Sequence, residues 1–154
     1  MGTRSLTFVY SESKPGEKAT PIMNMYRQYD GYPSGHGAEL AEFLNSGRLV
    51  NGLQGLGKER QFNGMGCLAA QLVAHFKDGA GQFYLEPVTA TDCGQDYEYH
   101  IYCEQGELSG GRFRIEVFNC GCNFFGMTND DTYEPIFNGF LPEFIEFCKE
   151  KEEA

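Results

Sequence analysis

The chain has no tryptophan, only three histidines and no apolar run approaching the length a membrane-crossing helix requires. It also lacks several signatures that would name a chemistry outright. No His-Glu-x-x-His pair is present, and no paired Asp motif, which removes the usual metalloprotease pattern. No Gly-x-Ser-x-Gly elbow is present for a serine hydrolase. The glycine-rich stretches lack the Gly-Lys-Ser/Thr ending of a P-loop. Positive charge is scarce: 12 Lys+Arg face 22 Asp+Glu, a formal net charge of −10. A basic face is the electrostatic footprint of a duplex binder, so this balance argues against duplex nucleic acid as partner. The opening residues, Met1 to Ser5, carry no apolar stretch resembling a signal peptide, and position 6 is Leu rather than the Ser or Thr of a myristoylation signal. The expected location is cytoplasmic, with no membrane partner.

The charge is unevenly spread. Residues 1–78 hold eight Lys+Arg against seven Asp+Glu, whereas residues 79–154 hold four against fifteen. An anionic ligand is tolerated more easily in the first half, while the acidic second half favours solubility. The six cysteines lack a secretory context and read as reduced thiols rather than a disulfide frame. Cys93, Cys103, Cys120 and Cys122 leave a four-thiolate zinc site open, although the spacing lacks paired Cys-x-x-Cys knuckles. The expectation is no metal and no cofactor. Cys67 and Cys148 read as small core residues.

The 154 residues fit one domain, 1–154, with residues 150–154 expected to fray. Thirteen Phe and nine Tyr are enough to fill a core and line a pocket. Residues 5–10 and 21–27 are rich in β-formers and predict an N-terminal hairpin around an exposed loop. Strands are also predicted over 82–86, 97–104 and 112–118, the last two as an antiparallel hairpin. Apolar stripes predict helices over 38–45, 67–76 and 140–149. Residues 46–62 and 119–138 read as irregular. The fold class is therefore α+β, an antiparallel sheet built from hairpins with about three helices packed on it.

The most informative segment is Tyr26 to Gly37, which gathers Arg27, Asp30, His36, three tyrosines and three glycines into one turn. A turn needs Gly and Pro but not this set of polar groups, so it reads as a ligand site. Arg27 has the planar fork that pairs with phosphate or carboxylate. Its alternative is an ion pair with Asp30 or with an acid of the second half. Hairpin pairing would set Arg4 beside it at the same sheet end. His36, between Gly35 and Gly37, is placed on exposed backbone before a helix whose amides and dipole favour an anion; its alternative is a plain capping residue. Asp30 would orient His36, act as a base, or cap the Asp-Gly turn. Gln28, Tyr26 and Tyr32 complete the candidate set, with a tyrosine stacking on a base or sugar. Gly64-Met65-Gly66 is a second candidate anion cradle, and Lys58 and Arg60 lie before it.

The strings Gly2-Thr3-Arg4-Ser5-Leu6-Thr7 and Tyr26 to Gly37 resemble a family of small uncharacterised proteins of bacteria and their phages. No activity travels with that resemblance. It implies a viral or mobile-element setting, where small proteins sequester or cleave nucleotide signals of host immunity. Three functions follow as expectations. The first is sequestration of a phosphate-bearing small molecule, such as a nucleotide or cyclic-nucleotide immune signal in a phage anti-defence setting, by Arg4, Tyr26, Arg27, Gln28, Asp30, Tyr32, Gly35, His36 and Gly37, in a homo-oligomer. The second is metal-independent hydrolysis by His36 and Asp30. The third is an adaptor that uses the Tyr-rich turn as an interface.

Overall fold

The computed structural model describes residues 2–13, 16–50, 60–104, 112–120 and 134–153. Among these residues eight strands run in chain order: β1 Ser5–Tyr10, β2 Pro21–Arg27, β3 Gly47–Val50, β4 Arg60–Asn63, β5 Phe83–Glu86, β6 Tyr97–Cys103, β7 Phe113–Asn119 and β8 Phe137–Phe140. Three α-helices join them: α1 Ala38–Asn45, α2 Gly64–Phe76 and α3 Leu141–Glu153. A five-residue π-helical turn, Pro33–Gly37, leads directly into α1. Six strands form one sheet in the order β5-β2-β1-β6-β7-β8, and β3 and β4 form a separate two-stranded sheet. The class is α+β, with a mostly antiparallel main sheet.

The sheet pairs as the hairpins predicted, with Ser5 opposite Arg27 and Cys103 opposite Phe113. Its centre is different. β1 and β6 are parallel, with Thr7 beside Tyr99 and Val9 beside Ile101. The small β3–β4 pair is parallel too, and it lies in the stretch expected to be irregular. A parallel neighbour needs a long crossover rather than a tight turn, so local turn chemistry carries no trace of it.

Strand alternation sorts the sheet into two faces. Thr7, Val9, Met25, Tyr99, Ile101, Ile115 and Val117 face the helices and are buried with Leu40, Phe43, Leu44, Leu68, Leu72 and Phe144. The other face carries Leu6, Phe8, Asn24, Glu98 and His100. Segment 87–96 crosses this face: Asn24 Nδ2 donates to the carbonyls of Pro87 and Ala90 at 3.1 and 3.2 Å. Residues 5–9 are consequently all buried, which identifies β1 as an interior strand covered on both sides.

Helix boundaries shift slightly from expectation. α2 starts at Gly64, three residues early, and α3 spans Leu141–Glu153. Within 119–138, residues 121–133 lie outside the described residues, as do Lys58 and Cys122. No helix among the described residues is long and apolar enough to cross a membrane.

Candidate functional site

The Tyr26–Gly37 segment is built around a buried polar network. Arg27 ends β2 with its side chain on the helix face and is 4% exposed; His36, in the π turn, is 0% exposed. Arg27 Nε donates to the Tyr29 carbonyl at 2.8 Å, and Nη1 donates to His36 Nδ1 at 3.2 Å and to Glu39 Oε2 at 3.0 Å. A guanidinium only donates, so Nδ1 must accept and the imidazole proton sits on Nε2. Nε2 then donates to Thr7 Oγ1 at 2.7 Å. The ring is closed in by Phe76 and Tyr99 at centroid distances of 5.2 and 5.1 Å. Burial, and next the adjacent Arg27 charge, push the His36 pKa down to about 3. The imidazole is neutral at physiological pH and offers no charge to an anion.

The same network fixes the turn's backbone. Tyr99 Oη donates to the Gly31 carbonyl at 2.7 Å, the Gly31 amide donates to the Thr3 carbonyl at 2.9 Å, and the His36 amide donates to the Asp30 carbonyl at 2.8 Å. Asp30 adopts a left-handed φ of 63°. Gly37 packs so closely that a Cβ there would lie 3.0 Å from Cys148 Sγ. The cation, imidazole and glycines are thus used inward, to hold the shape of the turn.

Several expectations are corrected by this geometry. His36 does not stand on exposed backbone. Arg27 pairs with Glu39, not Asp30. Arg4 shares the sheet end with Arg27 but not its face: Ser5 is the residue opposite Arg27, so Arg4 turns to the other side. There its guanidinium lies beside Gly94, and its amide donates to Asp96 Oδ2 at 3.0 Å. Tyr26 also faces away from Arg27 and packs on Tyr84 at 6.0 Å. Gln28, Tyr29, Asp30 and Tyr32 form an exposed rim, and the Tyr32 hydroxyl reaches Asp30 Oδ1 at 3.4 Å. The second cradle is already filled: Glu12 Oε2 accepts from the Met65 amide at 2.8 Å, so the protein's own carboxylate occupies the start of α2. Arg60 lies over the Phe43 ring at 4.8 Å. Cys103 is buried toward the helices, whereas Cys93 belongs to the segment over the opposite face, so these two thiols do not converge.

Two clefts present groups that sequence reasoning did not bring together. The first, of about 300 Å³, lies on the helix side and is lined by Leu44, Gly47, Arg48, Leu49, Arg112, Phe113, Leu141 and Pro142. Its floor is apolar; among the described residues its two charged groups are both arginines and no carboxylate lines it. Arg112 lies over the Phe140 ring at 4.0 Å, and neither arginine has an ion pair among the described residues. The second, of about 420 Å³, opens at the far end of β1 and β6, where Tyr10 and Tyr102 stack at 4.3 Å. Glu98-x-His100, two residues apart on one strand face, was the available sequence signal for this second region. Arg48 and Arg112 meet only through folding. No protein family matches the chain, and neither a curated protein nor a solved structure matches it.

Proposed function

We propose that the protein binds a phosphate-bearing small molecule, of the nucleotide type, in the 300 Å³ cleft between β3 and the start of α3. The supporting observation is the pair of arginines, Arg48 and Arg112, that have no carboxylate partner among the described residues, over an apolar floor in a chain of net charge −10. Guanidinium forks suit phosphate oxygens in two-point geometry. Phe113 and Leu141 offer apolar surface for a base or sugar, and the volume lies at the small end of ordinary ligand pockets. The buried Arg27–His36 pair contributes by holding α1, whose residue Leu44 lines the cleft. Binding without turnover is the favoured mode, because the described residues lining this cleft include no acid, base or nucleophile.

Calorimetry with inorganic phosphate and a panel of mono-, di- and cyclic nucleotides tests this reading. Each charge-assisted contact is worth ~1.5–3 kcal/mol, so Arg48→Ala or Arg112→Ala should weaken binding by about tenfold or more. An affinity unchanged in the double variant, or no heat from any panel member at about 100 µM protein, refutes it.

A further inference from the structure

A chain of titratable groups crosses the sheet face opposite the helices. Gln95 Nε2 donates to Glu98 Oε2 at 2.7 Å; His100 Nε2 meets Glu98 Oε1 at 3.0 Å; Tyr10 Oη meets His100 Nδ1 at 2.6 Å. A carboxylate only accepts, so the neutral imidazole carries its proton on Nε2 and takes the Tyr10 hydroxyl proton as a hydrogen bond at Nδ1. The ring is clamped. Phe8 stacks on it at 4.8 Å and 10°, and Phe118 abuts its edge at 5.2 Å. His100 and Glu98 are 12% and 13% exposed, while Tyr10 reaches the 420 Å³ cleft.

This order is that of a nucleophile, a base that receives its proton, and a carboxylate that orients the base. We propose that Tyr10 is the nucleophile of an acyl-transfer site in this cleft, with His100 as general base, Glu98 as the orienting carboxylate, and an uncharged carboxylic ester as substrate.

The substrate class follows from charge. Lys18 and Arg114 line the cleft against Glu17 and Glu104, and Arg114 is already paired with Glu104 at 3.3 Å and Glu116 at 3.6 Å. Its described lining residues carry no net positive charge, and Glu116 and Glu98 act on Tyr10 from beside it, so the cleft favours an uncharged substrate. Burial, with Glu116 and Glu98 nearby, raises the Tyr10 pKa, so the phenol keeps its proton until His100 takes it. Burial alone would raise the Glu98 carboxyl, but hydrogen bonds from His100 and Gln95 hold it below the usual range, ionised opposite the imidazole.

The Tyr10 oxygen bonds to the acyl carbon while its proton passes to His100 Nδ1. The carbonyl oxygen gains negative charge near Lys18, which has no ion pair among the described residues. Collapse breaks the ester C–O bond, and the leaving alkoxide takes the proton from His100. Water then attacks the acyl-tyrosine, gives its proton to His100, and Tyr10 leaves and recovers that proton. The sum is ester plus water to acid plus alcohol.

The test is p-nitrophenyl acetate with the full chain. The burst of p-nitrophenolate is followed at about 400 nm, and the acetylated residue is located by peptide mass spectrometry, as covalent catalysis requires. An acetyl group on Tyr10 is expected, absent in Tyr10→Phe, which keeps the stacked ring. His100→Gln should slow the burst by about 100-fold or more. If that variant does not fold, Glu98→Gln reads the same step. Acetyl groups on lysines with Tyr10 unmodified, or a burst unaltered by His100→Gln or Glu98→Gln, overturns the proposal.

Discussion

Lowering the pH from 7 to 5 should destabilise the protein through His36. The imidazole has an ordinary pKa of about 6.5 in the unfolded chain and is held to about 3 in the fold by burial and by Arg27. Between those values the unfolded chain binds a proton that the folded chain refuses, so stability falls as pH falls. The stabilisation is fully present above pH ~6.5 and is lost progressively toward pH ~3. One group titrating this way gives a slope of about 1.4 kcal/mol per pH unit, hence about 2 kcal/mol at pH 5. That is a sizeable share of a typical domain stability of ~5–15 kcal/mol. The window above pH ~5 keeps clear of ordinary carboxylate titration. The assay is urea unfolding at several pH values, with the wild type compared to His36→Asn, which removes the titrating ring but retains a donor and an acceptor. The midpoint of the wild type should move more steeply with pH than that of the variant, with the m-value unchanged. Equal pH slopes in the two proteins would show that His36 is not held neutral by the fold, and the account of the turn would fail.

Two further substitutions probe the same architecture. Glu12→Ala removes the carboxylate that accepts from the Met65 amide, and should cost ~1 kcal/mol, as loss of a helix cap does, read as a lower denaturant midpoint; an unchanged midpoint would mean the contact is not maintained in solution. At Gly31 a Cβ would lie 2.8 Å from the Arg4 carbonyl carbon and 2.8 Å from Ser5 Cβ. Gly31→Ala must therefore displace the turn from β1 and cost ~1–3 kcal/mol, as overpacking typically does. Thermal unfolding no different from wild type would refute that close approach.

Alternation and apolar spacing were enough to read β1, β2, β6, β7 and α1 from the sequence, because each element's own residues carry the period that burial imposes. They could not reveal the parallel β1–β6 pair or the β3–β4 pair, since crossover pairing leaves no local turn signature. The turn illustrates the same division. Its composition marked Tyr26 to Gly37 as a costly, specific structure. Composition cannot state whether Arg27 and His36 point outward to a ligand or inward to Thr7, Glu39 and Tyr99. The strand register decided that, by placing Ser5 opposite Arg27 and sending Arg4 to the other face. Glu98 and His100 were legible as neighbours on one strand face, but Tyr10 joins them only because β1 lies beside β6. Arg48 and Arg112 stand 64 positions apart in the sequence (112 − 48) and share a cleft only once the β3 region and the β7–β8 side pack together. The sequence by itself determined that β1, β2, β6, β7 and α1 would form, and how few cations there are to place. Tertiary structure alone decided which of those cations are used up internally and which remain facing a cleft, because partner choice depends on distances that no local pattern encodes.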